Sequence, residues 1–168
     1  VGPRREIGIR TIFNLLGPLT NPAGARYQLI GVFAKPWFEP IASSLGRLGS
    51  THALVVHGDD GLDEISLTSS TSVAEWRDGQ VHTFVIKPQE FGFSLCALAD
   101  LQVSNAQESA AIIRAVCAGA HGPHRDIVVL NAAAALYAGD AVSPLSAGVR
   151  LAQSTLDNGA ATRTLDAV

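Results

Sequence analysis

Thr51-His52-Ala53-Leu54-Val55-Val56-His57, running into Gly58-Asp59-Asp60-Gly61-Leu62-Asp63-Glu64-Ile65-Ser66, sets the architecture of the chain. The apolar run Ala53-Leu54-Val55-Val56 reads as a buried strand of a parallel sheet. It breaks into a glycine-punctuated loop that holds four carboxylates. Loops at the carboxyl ends of strands are where open α/β sheets bind their ligands. The adjacent carboxylates Asp63 and Glu64 repel each other unless a cation lies between them. Carboxylate oxygens with water positions to spare suit Mg²⁺, which takes one or two carboxylates and shares itself with substrate phosphates. The functional reading is therefore a Mg²⁺-phosphate site. On the loop alone a solvated acidic turn is the more ordinary reading, because Asp and Gly are common turn formers.

Outward from this stretch the pattern is that of an α/β protein. Upstream, the continuous apolar run over 27–33 predicts a strand buried on both faces. A helix follows, with Pro36 suited to its first turn, Phe38, Ile41, Ala42, Leu45 and Leu48 as its stripe, and Gly49 as its stop. Strand, helix and the strand over 51–57 form a βαβ unit. Still earlier, Ile9, Ile12, Phe13 and Leu16 fall at helical spacing and predict a short helix over 8–16, ended by Gly17-Pro18. The segment 17–22, with two prolines, reads as a stiff loop.

Downstream, two β-rich runs over 72–77 and 80–86 are joined by Asp78-Gly79, the strongest short hairpin signal. No regular element is assigned to 88–101. Then come three helices. The first is capped by Asn105 with Glu108 three residues on, and has Ala110, Ile113, Val116 and Cys117 on one face. The second, over 126–137, is apolar nearly all round and hence buried. The third opens at Ser143-Pro144, a cap followed by a proline, and carries Leu145, Val149, Ala152 and Leu156 on one face. The fold class is α/β: a mostly parallel sheet with an antiparallel hairpin and flanking helices.

At 168 residues, 47% hydrophobic and 16% charged, the chain is long and apolar enough to bury one substantial core. A net charge of −3 without any basic block argues against nucleic acid and against a membrane surface as partners. No apolar run reaches the roughly 20 residues of a membrane span, and the opening Val1-Gly2-Pro3-Arg4-Arg5 lacks the character of a signal peptide. Cys96 and Cys117 have no metal-site spacing and lie in apolar surroundings, as reduced thiols of a cytoplasmic protein do. The chain contains no Met at all, which makes it read as a piece of a longer protein.

Three segments together resemble a known family: 8–22, Gly61-Leu62-Asp63-Glu64-Ile65-Ser66, and Asn131-Ala132-Ala133-Ala134-Ala135-Leu136-Tyr137. In order and spacing they are similar to the carboxyl-terminal half of the anthranilate phosphoribosyltransferases, over the whole of this chain. The resemblance implies transfer of a phosphoribosyl group from phosphoribosyl pyrophosphate to anthranilate, with release of pyrophosphate, in L-tryptophan biosynthesis. It implies a nucleoside phosphorylase/phosphoribosyltransferase-like catalytic domain, a Mg²⁺ cofactor, a homodimer and a cytoplasmic location. Residues 1–168 would be the later part of the α/β domain. The amino-terminal helical domain and the glycine-rich pyrophosphate loop of the family would lie upstream of Val1.

The same resemblance assigns the site residues. Asp63 and Glu64 match the Asp-Glu pair that holds Mg²⁺ on the pyrophosphate. Breaking the bond at ribose C1 adds negative charge to the departing pyrophosphate, and a cation held there stabilises that charge as it develops. No proton-transferring catalytic residue is assigned, since an aromatic amine is unprotonated at neutral pH and positioning does the remaining work. Arg4 falls where the family places an arginine on anthranilate, a role that bidentate pairing and ring stacking both suit; Arg5 is the alternative. Gly17 and Pro18 match the family's anthranilate-channel loop.

Other polar residues carry less. His121 and His124 read as loop residues, Asp59 and Asp60 as solvated, Asn131 as bonded to neighbouring backbone, and His57 as a strand-end histidine beside the loop. Trp37, Trp76 and Tyr137 read as packing. Three rivals remain: a nucleoside phosphorylase on the same architecture, a nucleic-acid-binding paralogue, which the intact Asp-Glu pair and acidic balance oppose, and an inactive fragment of the transferase with an exposed apolar face.

Overall fold

The computed structural model describes residues 13–167. Helix α1 (Phe13–Leu19) leads to β1 (Tyr27–Gly31), a single 3-10 turn (Lys35–Trp37) and α2 (Phe38–Arg47). Strands β2 (His52–Gly58), β3 (Thr71–Arg77) and β4 (Gln80–Ile86) follow. Two more 3-10 turns (Pro88–Phe91, Leu98–Leu101) lie in the segment to which the sequence assigns no element. The chain ends in α3 (Ala106–Cys117), α4 (Pro123–Ala138), α5 (Leu145–Asp157) and α6 (Ala160–Asp166), the last of which is not among the expected helices.

The sheet has the order β1-β2-β3-β4. β1 and β2 are parallel, joined through α2 as the expected βαβ unit, while β2–β3 and β3–β4 are antiparallel. The α/β class, the hairpin and the flanking helices are as expected, but the sheet is mixed and not mostly parallel: among the described residues one pairing is parallel and two are antiparallel. Asp78 (φ 51°) and Gly79 (φ 81°) form the two-residue turn between β3 and β4. Two positive φ values in succession give the mirror-image turn whose twist matches its strands.

β2 is buried along its whole length, which explains its unbroken apolar run. Leu54 and Val56 point to one face, into a core with Ile65, Leu67, Val73, Val129, Leu130 and Val149. Ala53 and Val55 point to the other, against Ile41, Ala42 and Leu45 of α2. This alternation is the period-2 rule of a strand covered on both sides. α5 lies against α4 at close range: a Cβ on Gly148 would come within 2.8 Å of the Ala133 carbonyl oxygen.

Several local expectations are corrected. Gly17 and Pro18 do not end α1 but lie inside its last turn. Pro18 withholds only the bond to Asn14, and the turn closes behind it through Thr20, whose hydroxyl donates to the Leu16 carbonyl at 2.8 Å. β1 is not buried on both faces. It is an edge strand among the described residues, with Tyr27 47% exposed. Ile113 is exposed, and it is Ile112 and Val116, one turn apart, that face the core. Ser143 does not cap α5; Pro144 holds that position with no side-chain bond. α4 is not buried all round, since Val128 is exposed. Val128 and Leu151 line an open apolar groove of about 620 Å³ between α4 and α5. Leu48 and Trp37 are exposed, whereas Trp76 packs against Gly46 and donates its indole N–H to the Ser50 carbonyl.

Candidate functional site

The loop 59–70 leaves the carboxyl end of β2 and is built largely from its own polar groups. The Gly58 N–H donates to the Leu62 carbonyl at 2.9 Å and the Gly61 N–H to the Gly58 carbonyl, folding the chain back on itself. Asp60 is the hub. Its carboxylate accepts from the Ser66 hydroxyl at 2.5 Å, from the Thr68 hydroxyl and from the Leu62 N–H at 3.1 Å. Partial burial pushes the Asp60 carboxyl up, but these donors together outweigh it and hold the group below the usual carboxylate range. Asp59 accepts from the Ser70 hydroxyl at 2.7 Å and lies 3.6 Å from Lys35 Nζ. Asp59 and Asp60 are exposed, as expected of solvated carboxylates, but both are also bonded within the loop. The run Ser66-Leu67-Thr68-Ser69-Ser70-Thr71 supplies the hydroxyls, and that hydroxyl-rich run is the signal in the sequence that marks them.

Asp63 and Glu64 lie in the middle of the loop sequence, both exposed. Their carboxylates take no hydrogen bond or ion pair among the described residues. The backbone beneath them is fixed from two sides. On one side Gly31, at the end of β1, lies against Asp63 so closely that a Cβ would sit 1.5 Å from the Asp63 carbonyl oxygen. On the other side Asn131 of α4 accepts from the Ile65 N–H at 2.9 Å and donates to the Ile65 carbonyl at 2.9 Å and the Ile127 carbonyl at 3.0 Å. The expectation for Asn131 is a bond to neighbouring backbone. One bond is of that kind, and two cross 66 positions to the acidic loop. His57 Nδ1 donates to the Val32 carbonyl at 2.8 Å, tying the ends of β1 and β2 together beneath the loop.

Two adjacent carboxylates that are unpaired among the described residues make, at a strand's carboxyl end, an incomplete oxygen donor set. Among the described residues no three His, Cys, Asp or Glu side chains converge on a metal by themselves. Such a set fits Mg²⁺, which keeps several waters and binds through one or two carboxylates and a substrate phosphate. His121 and His124 contribute nothing to it: His121 lies in the loop before α4, as expected, whereas His124 is in the first turn of α4 and not in a loop.

The other predicted site residues are placed differently. Arg4 and Arg5 lie outside the described residues. Pro18 lines a small cleft with Gln28, Leu45 and Ser50, near the start of β1, whereas Asp63 meets Gly31 at that strand's other end. Gly17 is exposed beside Pro18. Tyr137 belongs to a separate polar cluster at the amino end of β2, where its hydroxyl donates to Glu75 at 2.8 Å.

Residues 1–162 match the glycosyl transferase family, a/b domain. The anthranilate phosphoribosyltransferase of Alkalilimnicola ehrlichii is 54% identical over 167 residues, covering 99% of this chain and 49% of that protein. The crystal structure of anthranilate phosphoribosyltransferase from Thermus thermophilus superposes with a TM-score of 0.89 at 41% identity, over 97% of this chain and 48% of the other. The Saccharomyces cerevisiae anthranilate phosphoribosyltransferase in complex with PRPP and Mg superposes with a TM-score of 0.84 at 27% identity, over 97% and 47%. The chain thus spans about half the length of the curated relatives it matches. No helix among the described residues is long and apolar enough to cross a membrane.

Proposed function

Because the chain belongs to the glycosyl transferase family through its a/b domain, we propose that it is the carboxyl-terminal part of the α/β domain of an anthranilate phosphoribosyltransferase of L-tryptophan biosynthesis. The helical domain, the glycine-rich pyrophosphate loop and the homodimer contact belong, on this reading, to sequence upstream of Val1, and the enzyme works in the cytoplasm. The observation that carries the reading is the state of the acidic loop. Among the described residues, Asp59 and Asp60 are engaged by lysine, hydroxyls and backbone, and Asp63 and Glu64 are left open. That is the pair which the family resemblance assigns to Mg²⁺.

In this role Asp63 and Glu64 hold Mg²⁺, which supplies positive charge to the pyrophosphate as its bond to ribose C1 breaks. The chain's own part is to orient. Gly31 and Asn131 fix the backbone on either side of the pair, and the Asp60 carboxylate ties Leu62, Ser66 and Thr68 of the same loop together. Arg4, or Arg5 beside it, would take the anthranilate carboxylate, and Gly17-Pro18 would shape the channel.

The test uses the complete protein that carries this chain, followed by loss of anthranilate fluorescence in the presence of phosphoribosyl pyrophosphate and Mg²⁺. Turnover is expected, and it should vanish in the double variant Asp63→Asn with Glu64→Gln. Persistent turnover in that variant removes the metal assignment. The 168-residue chain alone is expected to show none.

A further inference from the structure

We infer that Asn131 is a positioning residue for the metal-binding pair: it sets the direction of Asp63 and Glu64 by locking the two peptide planes that follow Glu64. This rests on the reading of that pair as the Mg²⁺ ligands. Ile65 N–H belongs to the Glu64–Ile65 peptide and Ile65 C=O to the Ile65–Ser66 peptide. Asn131 bonds both, each at 2.9 Å, with the two ends of one amide.

Its own orientation is fixed in turn. The amide nitrogen also donates to the Ile127 carbonyl one helical turn back, so the group faces two carbonyls and one N–H and only one way round satisfies all three. The Ile65 side chain is fully buried in the main core, which holds the residue between the two peptides from the other side. Glu64 is thus joined directly to an anchored residue, while its own side chain and that of Asp63 have no partner among the described residues. Fixed backbone under free carboxylates is what a pre-organised ligand pair needs, because coordinating groups must be held to about half an ångström. A wholly apolar residue at 131 would suit the packing of α4 as well, and would leave the Ile65 N–H and carbonyl unpaired.

Groups that orient metal ligands typically change metal affinity about 10–100-fold when removed. Mn²⁺ is the probe, its free concentration read by electron paramagnetic resonance in the complete protein, with and without inorganic pyrophosphate. Asn131→Ala is expected to weaken Mn²⁺ binding at least about 10-fold. Tyr137→Phe removes a hydrogen bond from the same helix, to Glu75, and is expected to lower the melting temperature without changing Mn²⁺ binding. If Asn131→Ala does not fold, Asn131→Ser, too short to reach both Ile65 groups, is read in its place with the same expectation. Unchanged Mn²⁺ affinity in the position-131 variant, or equal weakening by Tyr137→Phe, overturns the inference. Asp63→Asn with Glu64→Gln separates the two readings. If that variant still binds Mn²⁺ like the parent, the metal reading itself has failed; if it does not and Asn131 proves indifferent, only the inference falls.

Discussion

Gly31 and Asp63 are packed backbone to backbone: a Cβ at position 31 would lie 1.5 Å from the Asp63 carbonyl oxygen and 2.4 Å from its carbonyl carbon. The constraint is one of space and not of backbone angle, since Gly31 is not among the glycines with positive φ. The neighbour is backbone, so it cannot rotate away as a side chain can. Gly31→Ala must push the loop or the end of β1 outward, at a cost of about 1–3 kcal/mol for an overpacked contact. The urea midpoint should fall accordingly, and Mn²⁺ affinity should fall with it because Asp63 moves. An alanine variant that unfolds at the parent's midpoint would show that the contact is looser than described.

The Asp60 network makes the loop sensitive to acid. The folded carboxyl is held below its ordinary value of 3.8, with partial burial opposing and the Ser66, Thr68 and Leu62 donors prevailing. A depressed carboxyl contributes stability that is fully present above the unfolded pKa, near 3.8, and is lost as pH falls through the folded one. Asp60→Asn should therefore melt below the parent by a constant margin at about pH 5–7, and that margin should close below about pH 4. A gap that widened on acidification would contradict the assignment.

The β3–β4 turn is a local device with a local cost. Gly79 sits at φ 81° and Asp78 at φ 51°, both in the left-handed region. An alanine there carries a Cβ penalty of about 1 kcal/mol, whereas Asp78→Asn keeps a residue that tolerates the angle. Gly79→Ala should lower the melting temperature by about 2–4 °C, the shift that such a penalty produces in a chain of this size. Asp78→Asn should leave it in place. Equal shifts from both would mean the turn has another geometry in solution.

What is readable in the sequence follows the same division between local and distant. The hairpin is legible because Asp78-Gly79 encodes its turn in two residues, and α2 because Ile41, Ala42 and Leu45 repeat at helical spacing. The end of α1 is misjudged because Pro18 forbids one hydrogen bond, and a proline in a helix's last turn forgoes little. β1 is misjudged because an apolar run says that a strand can be covered, not that a neighbour is present to cover it. In the site, Asp63 and Glu64 are legible through their motif. Their supports are not, because Gly31 and Asn131 act across long stretches of chain, and no pattern at either position announces the contact.

The amino end of β2 provides the control for all the loop predictions. His52 is buried, with Nε2 2.8 Å from Glu75 Oε1 and Nδ1 2.8 Å from Asp140 Oδ1. Tyr137 donates to the same Glu75 oxygen and its ring meets that of His52 edge-on at 5.2 Å. Glu75 is itself buried, so His52→Leu leaves a buried carboxylate with the Tyr137 hydroxyl as its remaining hydrogen-bond donor among the described residues. Taking away one partner of a buried hydrogen-bonded pair costs about 1–3 kcal/mol, while replacing both by apolar residues of similar shape can be nearly neutral. His52→Leu should therefore lower the urea midpoint strongly, and His52→Leu with Glu75→Leu should recover part of the loss. The whole length of β2 separates this cluster from Asp63 and Glu64, so neither variant should change Mn²⁺ affinity at a temperature where it is folded. A loss of metal binding in His52→Leu would mean that the loop responds to the stability of the domain as a whole. The effect of Asn131 on the same measurement would then no longer be evidence of positioning.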